Sequence, residues 1–245
     1  MKQNIFDDER FFPAYMEYRD SPKCLNAAIE QPALRQLLPD LKRSRVLDIG
    51  SGTGDFCEYA LKQGADFVLG VDVSRRMCAR AEMALSKEPR ARFVNQAIED
   101  FQWQGDHFDV IVSSLALHYV EPLADIVRRT SSWLREGGVY LISVNHPLYT
   151  ATLGHEQAAG GSPACLNTRN YWAEGSRPHT WFVDGVVKYH RTMETYFRLL
   201  NSSGLRLMDF RELSPQSLGV SEWVGDPRLT ERPIFVLFRA EKEPR

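Results

Sequence analysis

Val46-Leu47-Asp48-Ile49-Gly50-Ser51-Gly52-Thr53-Gly54-Asp55-Phe56 is the stretch that decides how this chain is read. An apolar run runs into three alternate glycines, and a helical pattern starts at Asp55. Glycines at 50, 52 and 54 let the backbone turn tightly and come close to a ligand. Two ligand classes use such a turn. A dinucleotide needs G-x-G-x-x-G/A, with its pyrophosphate on the helix N-terminus. Counted from Gly50, the last position of that pattern falls on Asp55, and a second acid, Asp48, stands just before the turn. Two carboxylates beside the loop repel a diphosphate and suit a cation. S-Adenosylmethionine offers an ammonium and a sulfonium and no phosphate, so charge and spacing both favour it.

Outward from this turn, strand and helix patterns alternate. Arg45–Ile49 reads as a strand, Asp55–Lys62 as a helix closed by Gly64, and Phe67–Val71 as a second strand. Ser74 reads as the N-cap of a helix to Leu85. Arg92–Asn95 and Phe108–Ser113 are further strands. A helix over Pro122–Arg135 is stopped by Gly137-Gly138, and Val139–Val144 is the fifth strand. Upstream, Asp7–Tyr18 predicts a short helix, and apolar residues from Leu25 to Leu38 recur near helical spacing. Downstream, residues 146–189 are rich in Gly, Pro, Thr and aromatics with little period, which predicts an irregular functional insertion. A helix over Thr192–Ser202 and strands at Leu205–Phe210 and Ile234–Arg239 close the chain. The pattern predicts an α/β fold with a doubly wound, mostly parallel seven-stranded sheet. All 245 residues form one domain: 1–40 N-terminal and helical, 41–145 the core, 146–190 the insertion, 191–245 the closing elements.

The composition agrees with one large α/β domain. Hydrophobic residues at 43% and charged residues at 25% exclude a disordered chain. A net charge of −2 leaves no basic excess for a phosphate backbone, so no nucleic-acid partner is expected. MKQNIFDDERFF lacks the charged and apolar regions of a secretory signal. The strongest apolar run, Val110–Val120, contains two serines and a histidine and falls short of the ~20 residues of a membrane helix. A cytoplasmic protein with no membrane partner is the expectation. Cys24, Cys57, Cys78 and Cys165 show no CxxC spacing, so free thiols are expected in place of zinc ligands or disulfides.

Five stretches in order, VLDIGSGTGDF (46–56), GVDVS (70–74), AIEDF (97–101), FDVIVSSLALHYV (108–120) and LREGGVYLISVNHP (134–147), resemble the class I S-adenosylmethionine-dependent methyltransferases. The resemblance runs from about Phe11 to Arg239 and is nearest to small-molecule enzymes of the ubiquinone/menaquinone-methyltransferase-like branch. It implies a Rossmann-like methyltransferase fold, S-adenosylmethionine as cofactor, S-adenosylhomocysteine as product, no metal, and a small-molecule acceptor. It sets the methionine portion against Asp48, Gly50, Ser51 and Gly52 and the ribose hydroxyls on Asp72, 22 residues after Gly50. Val73 and Met77 would flank the adenine. Ala97 stands where the family often has an acid near the adenine amino group, which leaves backbone at Ala97 and Ile98, or Glu99, for that contact. Ser114, after the fourth strand, and Tyr18, on an N-terminal helix that covers the cofactor in similar enzymes, complete the cofactor set.

Methyl transfer is an in-line displacement. Much of its catalysis can come from holding the nucleophile ~3–3.5 Å from the methyl in a dry pocket, and a base is needed only if the acceptor must lose a proton. His118 and His146 follow the fourth and fifth strands and are the candidate bases; hydrogen bonding within their own loops is the competing role for each. Tyr15, Tyr149, Tyr171, Trp172 and Trp181 are the candidate walls of an acceptor pocket, since flat side chains can sandwich a planar acceptor. A hydrophobic mini-core for the insertion uses the same residues. His190 and Arg191 are candidate acceptor contacts, or a junction at which Thr192 caps the next helix. The expected reaction is methyl transfer to oxygen or nitrogen of a planar or aromatic metabolite. The alternatives are C-methylation of a lipid quinone and a non-catalytic cofactor-binding protein that acts through a partner. Amino-methylating nucleic-acid enzymes carry [D/N/S]-P-P-[Y/F/W] after the fourth strand, where Ser-Leu-Ala-Leu-His-Tyr stands here. Metal-dependent methylation of catechols needs clustered oxygen ligands, and that segment has none.

Overall fold

Residues 2–22, 24–152, 170–213 and 232–244 are described by the computed structural model. The chain opens with a 3₁₀ turn at Ile5–Asp7 and helix α1 (Phe11–Arg19). This helix begins later than the pattern predicts because Asp8 caps it, Oδ1 accepting from the Arg10 and Phe11 amides at 2.9 Å each. A π-helical turn at Asn26–Glu30 runs into α2 (Gln31–Gln36). The core then alternates: β1 (Arg45–Ile49), α3 (Asp55–Lys62), β2 (Phe67–Asp72), α4 (Arg75–Ala84), β3 (Ala91–Asn95), β4 (Phe108–Ser114), a 3₁₀ turn at Leu117–Tyr119, α5 (Leu123–Trp133) and β5 (Leu134–Asn145). After it come α6 (Pro147–Thr150), β6 (Gly175–Trp181), β7 (Val183–His190), α7 (Met193–Ser202), β8 (Leu205–Leu213) and β9 (Phe235–Lys242).

Seven strands form one sheet in the order β3-β2-β1-β4-β5-β9-β8. The first five are parallel, and β9 runs antiparallel to both its neighbours. This is the predicted Rossmann-like methyltransferase architecture. Strand order reverses beside β1, so the carboxyl ends of β1 and β4 open a crevice where such sheets bind ligands. Successive residues of β1 face opposite layers. Leu47 and Ile49 pack with Leu69, Ile111 and Ile126 on one side. Val46 packs with Leu34, Phe56, Val68 and Val110 on the other. Burial on both faces explains why these strands read as continuous apolar runs.

Differences from the sequence pattern have local causes. β5 starts at Leu134, before the Gly137-Gly138 pair, because Leu134 pairs with Phe108 across a register shift. The predicted helix therefore ends two residues early, and the glycines lie inside the strand. β8 and β9 reach further than predicted because they pair with each other from Leu205↔Lys242 to Leu213↔Phe235. The insertion is not wholly irregular: β6 and β7 form an antiparallel hairpin. Pro178 and two glycines obscure it in the sequence, and Pro178 is tolerated because β6 pairs on one side only. Residues 153–169 of the insertion lie outside the described residues, as does Cys165. Cys24, Cys57 and Cys78 are free and buried. Among the described residues no helix is long and apolar enough to cross a membrane.

Candidate active site

A cavity of about 500 Å³ opens at the carboxyl ends of β1, β2, β4 and β5, roofed by α1 and the β6–β7 hairpin. Its floor is the glycine turn. Gly50, Gly52 and Gly54 have φ of 75°, 53° and 82°, which is left-handed backbone. Gly50 and Ser51 donate to the Val71 carbonyl at 2.8 and 3.2 Å, locking the turn onto β2. Leu115, after β4, is also left-handed, at φ 51°, and carries Ala116 against Gly50.

Acids surround this floor. Asp72 ends β2 and is 9% exposed. Its Oδ2 accepts from the Gly52 amide and its Oδ1 from the Ser74 amide, both at 2.8 Å. Burial outweighs these bonds and raises its pKa. Asp48 is buried, with the Cys57 thiol donating to Oδ2 at 3.5 Å. Burial, then the neighbouring carboxylates, pushes its carboxyl up to about 7. Ser74 caps α4 as predicted, accepting from Met77 N, and Asp7 reinforces that end through the Arg75 and Arg76 amides at 3.1 Å each.

The cavity brings together most of the predicted site residues. Asp48, Gly50, Ser51, Gly52, Asp72, Val73, Met77, Ala97, Ile98, Glu99, Ser114, Tyr15, Tyr18, His118, Tyr149 and Trp181 all line it. Tyr18 also ties the roof, its hydroxyl accepting from Leu25 N at 2.9 Å. Ser114 donates to Glu30 Oε1 at 3.0 Å, and Ser143 donates to the same oxygen at 2.5 Å. Glu30 is wholly buried and joins the N-terminal helices to β4 and β5.

Five predicted residues do not line the cavity. His146 caps α6: Nδ1 accepts from Leu148 N at 3.0 Å, and Nε2 meets Glu212 at 2.8 Å. Both nitrogens are thus committed to the fold, which removes His146 from the candidate bases. His190 is held between Thr150 Oγ1 at 2.7 Å and the Tyr171 carbonyl at 2.8 Å. Arg191 donates to the Val120 and Glu121 carbonyls at 2.6 and 2.8 Å, fixing the loop after the Leu117–Tyr119 turn. The Tyr171 hydroxyl accepts from Met193 N at 3.1 Å. Trp172 is 78% exposed, edge-on to Tyr171. Tyr171, held by His190, braces the insertion against α7, whose N-cap is Thr192.

His118 does face the cavity. It is buried, and Nδ1 accepts from Asn145 N at 3.3 Å. That bond sets the tautomer with the proton on Nε2. Burial, followed by nearby Lys188, His179 and Arg191, lowers its pKa well below 6.5. His118 is therefore neutral at pH 7, with its proton on Nε2.

Several lining residues carried no signal in the sequence. Arg19, on α1, pairs with Asp55 at 2.6 Å across the turn, and its guanidinium lies over Gly52. Lys188 of β7 and His179 of β6 enter from the hairpin. Phe6, Phe11, Tyr15, Tyr119 and Trp181 interlock mostly edge-to-face, with centroids 5.1–5.8 Å apart, and join the N-terminal segment to the hairpin. Among the described residues no cluster of three His, Cys, Asp or Glu side chains converges as a metal site would require.

Comparison with known proteins gives the same reading. Residues 46–138 match the methyltransferase domain family model. A chain from Listeria monocytogenes assigned to the S-adenosylmethionine-dependent methyltransferases superposes with TM-score 0.77 at 32% identity, covering 88% of this chain and 98% of that one. The S-adenosylmethionine-dependent methyltransferase of Mesorhizobium loti gives TM-score 0.74 at 35% identity, covering 87% and 97%. The trans-aconitate 2-methyltransferase of Deinococcus radiodurans is 30% identical over 206 residues, which is 78% of this chain and 71% of that one. The chain belongs to the S-adenosylmethionine-dependent methyltransferase family.

Proposed function

We propose that this protein transfers a methyl group from S-adenosylmethionine to oxygen or nitrogen of a small acceptor inside the roofed cavity. One observation carries this reading: the acid-lined glycine turn and a group of aromatic side chains line a single cavity of about 500 Å³. That volume lies within the range of small-molecule sites, roughly 300–1,000 Å³.

The residues present fit the cofactor. Ser51 Oγ is buried with no hydrogen-bond partner among the described residues, so a donor-rich amino-acid group can use it. A Cβ at Gly52 would meet nothing nearer than Arg19 Nη1 at 3.8 Å, so the backbone there lies open to a close ligand. Asp48 supplies negative charge where an ammonium is expected, Arg19 a cation where a carboxylate is expected, and Asp72 a diol acceptor. Val73, Met77 and Ile98 give an apolar slot. When bound, S-adenosylmethionine supplies an electrophilic methyl on a positively charged sulfur. The chain's own part is to orient, to exclude water with α1 and the hairpin, and to present His118 Nε2–H and the rings of Tyr119, Tyr149 and Trp181 to the acceptor.

The carboxyl of Asp48 gives a pH signature. Its folded pKa of about 7 lies above the ordinary carboxylate value of 3.8, so its contribution to stability is full below about 3.8 and is lost as pH rises from there to about 7. A cationic ligand prefers the ionised form. The ligand-free protein should therefore lose stability from about pH 4 to about 7 and level off above it, while S-adenosylhomocysteine binds more tightly as the pH rises to about 7. Asp48→Asn should flatten both curves in thermal melts and titrations. Arg19→Ala removes the cation over the turn and should weaken cofactor binding about tenfold, the scale of one charge-assisted bond. Calorimetric titration with S-adenosylmethionine and S-adenosylhomocysteine tests the binding. Transfer of labelled methyl to a metabolite library tests the reaction; binding without transfer to any acceptor would leave a silent cofactor-binding protein.

A further inference from the structure

The cavity's carboxylates stand at the glycine turn, where Arg19 accompanies them, and not beside Lys188. Asp48, Asp72 and Glu99 line it from the ends of β1, β2 and the segment after β3, while Lys188, His118 and His179 line the end beneath the hairpin. Lys188 is 5% exposed. Its Nζ lies 5.1 Å from the ring centroid of Trp181, 5.4 Å from Tyr149 and 5.7 Å from Tyr119. No carboxylate among the described residues pairs with it, and burial alone is what lowers its pKa, to about 7. An amine buried without a counter-ion is costly, and a lysine serving only as packing would carry its nitrogen out to water. Beside it, both ring nitrogens of His179 and Oδ1 of Asn145 are buried without partners among the described residues. The compartment thus holds unused polar atoms, a donor among them, and one unpaired cationic group, and it is walled by flat rings.

We propose that the acceptor is an organic acid, a carboxylic acid on a flat or apolar body, whose oxygen is held by Lys188 at the hairpin end of the cavity. This rests on the methyltransferase reading and names the substrate class for it. The carboxylate enters directly, or as the acid. In the second case the O–H bond breaks, an N–H bond forms on Nζ, and an ammonium–carboxylate pair results with no proton released. The surrounding rings favour that ammonium through their faces. The anion in turn raises the amine's affinity for its proton, so binding should weaken as pH rises above about 7. Asp48, in the same cavity, also titrates near 7, so the Lys188 contribution is the part of this trend that Lys188→Met removes; the other groups facing Nζ keep one form. His179, at about 4, and His118 are neutral over pH 6–8. Tyr119 keeps its proton. On β7 itself Asp184 is bonded to Thr180, and His190 is tied to Thr150 and Tyr171.

The test uses the full chain saturated with S-adenosylhomocysteine and matched probes: benzoate against benzamide, cinnamate against cinnamamide, and trans-aconitate against its trimethyl ester. Binding is read by thermal shift. The reactivity of Lys188 is read by trace acetylation with acetic anhydride and peptide mass spectrometry. At least one acid should bind about tenfold or more tightly than its neutral partner and slow acetylation of Lys188. Lys188→Met should abolish that preference and leave S-adenosylhomocysteine affinity unchanged, while Lys188→Arg should keep part of it. Wild-type protein that binds S-adenosylhomocysteine but prefers no acid, or a Lys188→Met variant with the preference intact, overturns the proposal alone. Failure to bind S-adenosylhomocysteine overturns the methyltransferase reading and this proposal with it.

Discussion

Asp72→Ala should weaken S-adenosylhomocysteine binding about 30- to 100-fold in a calorimetric titration. The carboxylate sits at the cavity with one oxygen on Gly52 N and the other on Ser74 N, both at 2.8 Å. Each oxygen has further lone pairs for the two hydroxyls of a ribose. Bonds to a charged acceptor contribute about 1.5–3 kcal/mol each, and their loss leaves two amides without their partner. The alanine variant therefore mixes a binding loss with a loosened turn. Asp72→Asn separates them. An amide of the same size keeps one acceptor but sets an NH₂ against the second backbone N–H. Its melting temperature should fall by only a few degrees, while cofactor affinity falls nearly as far as in the alanine variant. An asparagine variant with unchanged affinity would remove Asp72 from the ribose role and leave it as a turn brace.

Gly50→Ala should cost more in stability than any other single methyl added to the turn. The φ of 75° is left-handed, which costs a residue with a side chain ~1–2 kcal/mol. The added Cβ would also lie 2.3 Å from the Cβ of Ala116, and such overpacking costs ~1–3 kcal/mol. Relief by moving Ala116 is blocked. Leu115 before it is already at φ 51° and is anchored through its amide to Ser143 O and Oγ at 3.0 Å each. A total of ~2–5 kcal/mol corresponds to a drop of roughly 5–15 °C in melting temperature for a domain of this size, with cofactor binding lost. Gly52→Ala is the control. Its Cβ would project toward open space, with only Arg19 Nη1 at 3.8 Å. It should melt closer to wild type and still bind poorly, because the methyl occupies the backbone's approach to the ligand.

The parts of the fold visible in the sequence are those fixed by local physics. Asp55–Lys62 has its predicted bounds because Gly54 supplies a left-handed start and the chain turns at Gly64. Ser74 and Thr192 are legible because a hydroxyl before a helix accepts from the third amide onward, as both do. The floor of the cavity was legible for the same reason: its glycines and acids lie within one turn and the next strand end. The roof was not. Glu30 meets Ser143 across 113 residues, and Gln3 pairs with the Val187 backbone across 184. No spacing rule reaches so far. The hairpin was hidden because β6 alternates between half-buried and exposed positions filled with Ser, Pro, His and Thr, without the apolar alternation of a core strand. Lys188 carried no signal, because its burial exists only once Tyr119, Tyr149 and Trp181 converge on it. His146 misled in the opposite direction. A histidine at a strand end reads as a base, yet the following Pro147 fixes the helix start that the imidazole caps.

Parallel titrations of the purified chain with S-adenosylhomocysteine and with NAD test most directly whether the acid-ringed turn selects a phosphate-free donor. Saturable binding of S-adenosylhomocysteine, tightening between pH 6 and 8, with no heat from NAD, is the result expected. Saturable binding of NAD, with S-adenosylhomocysteine inert, would contradict the account.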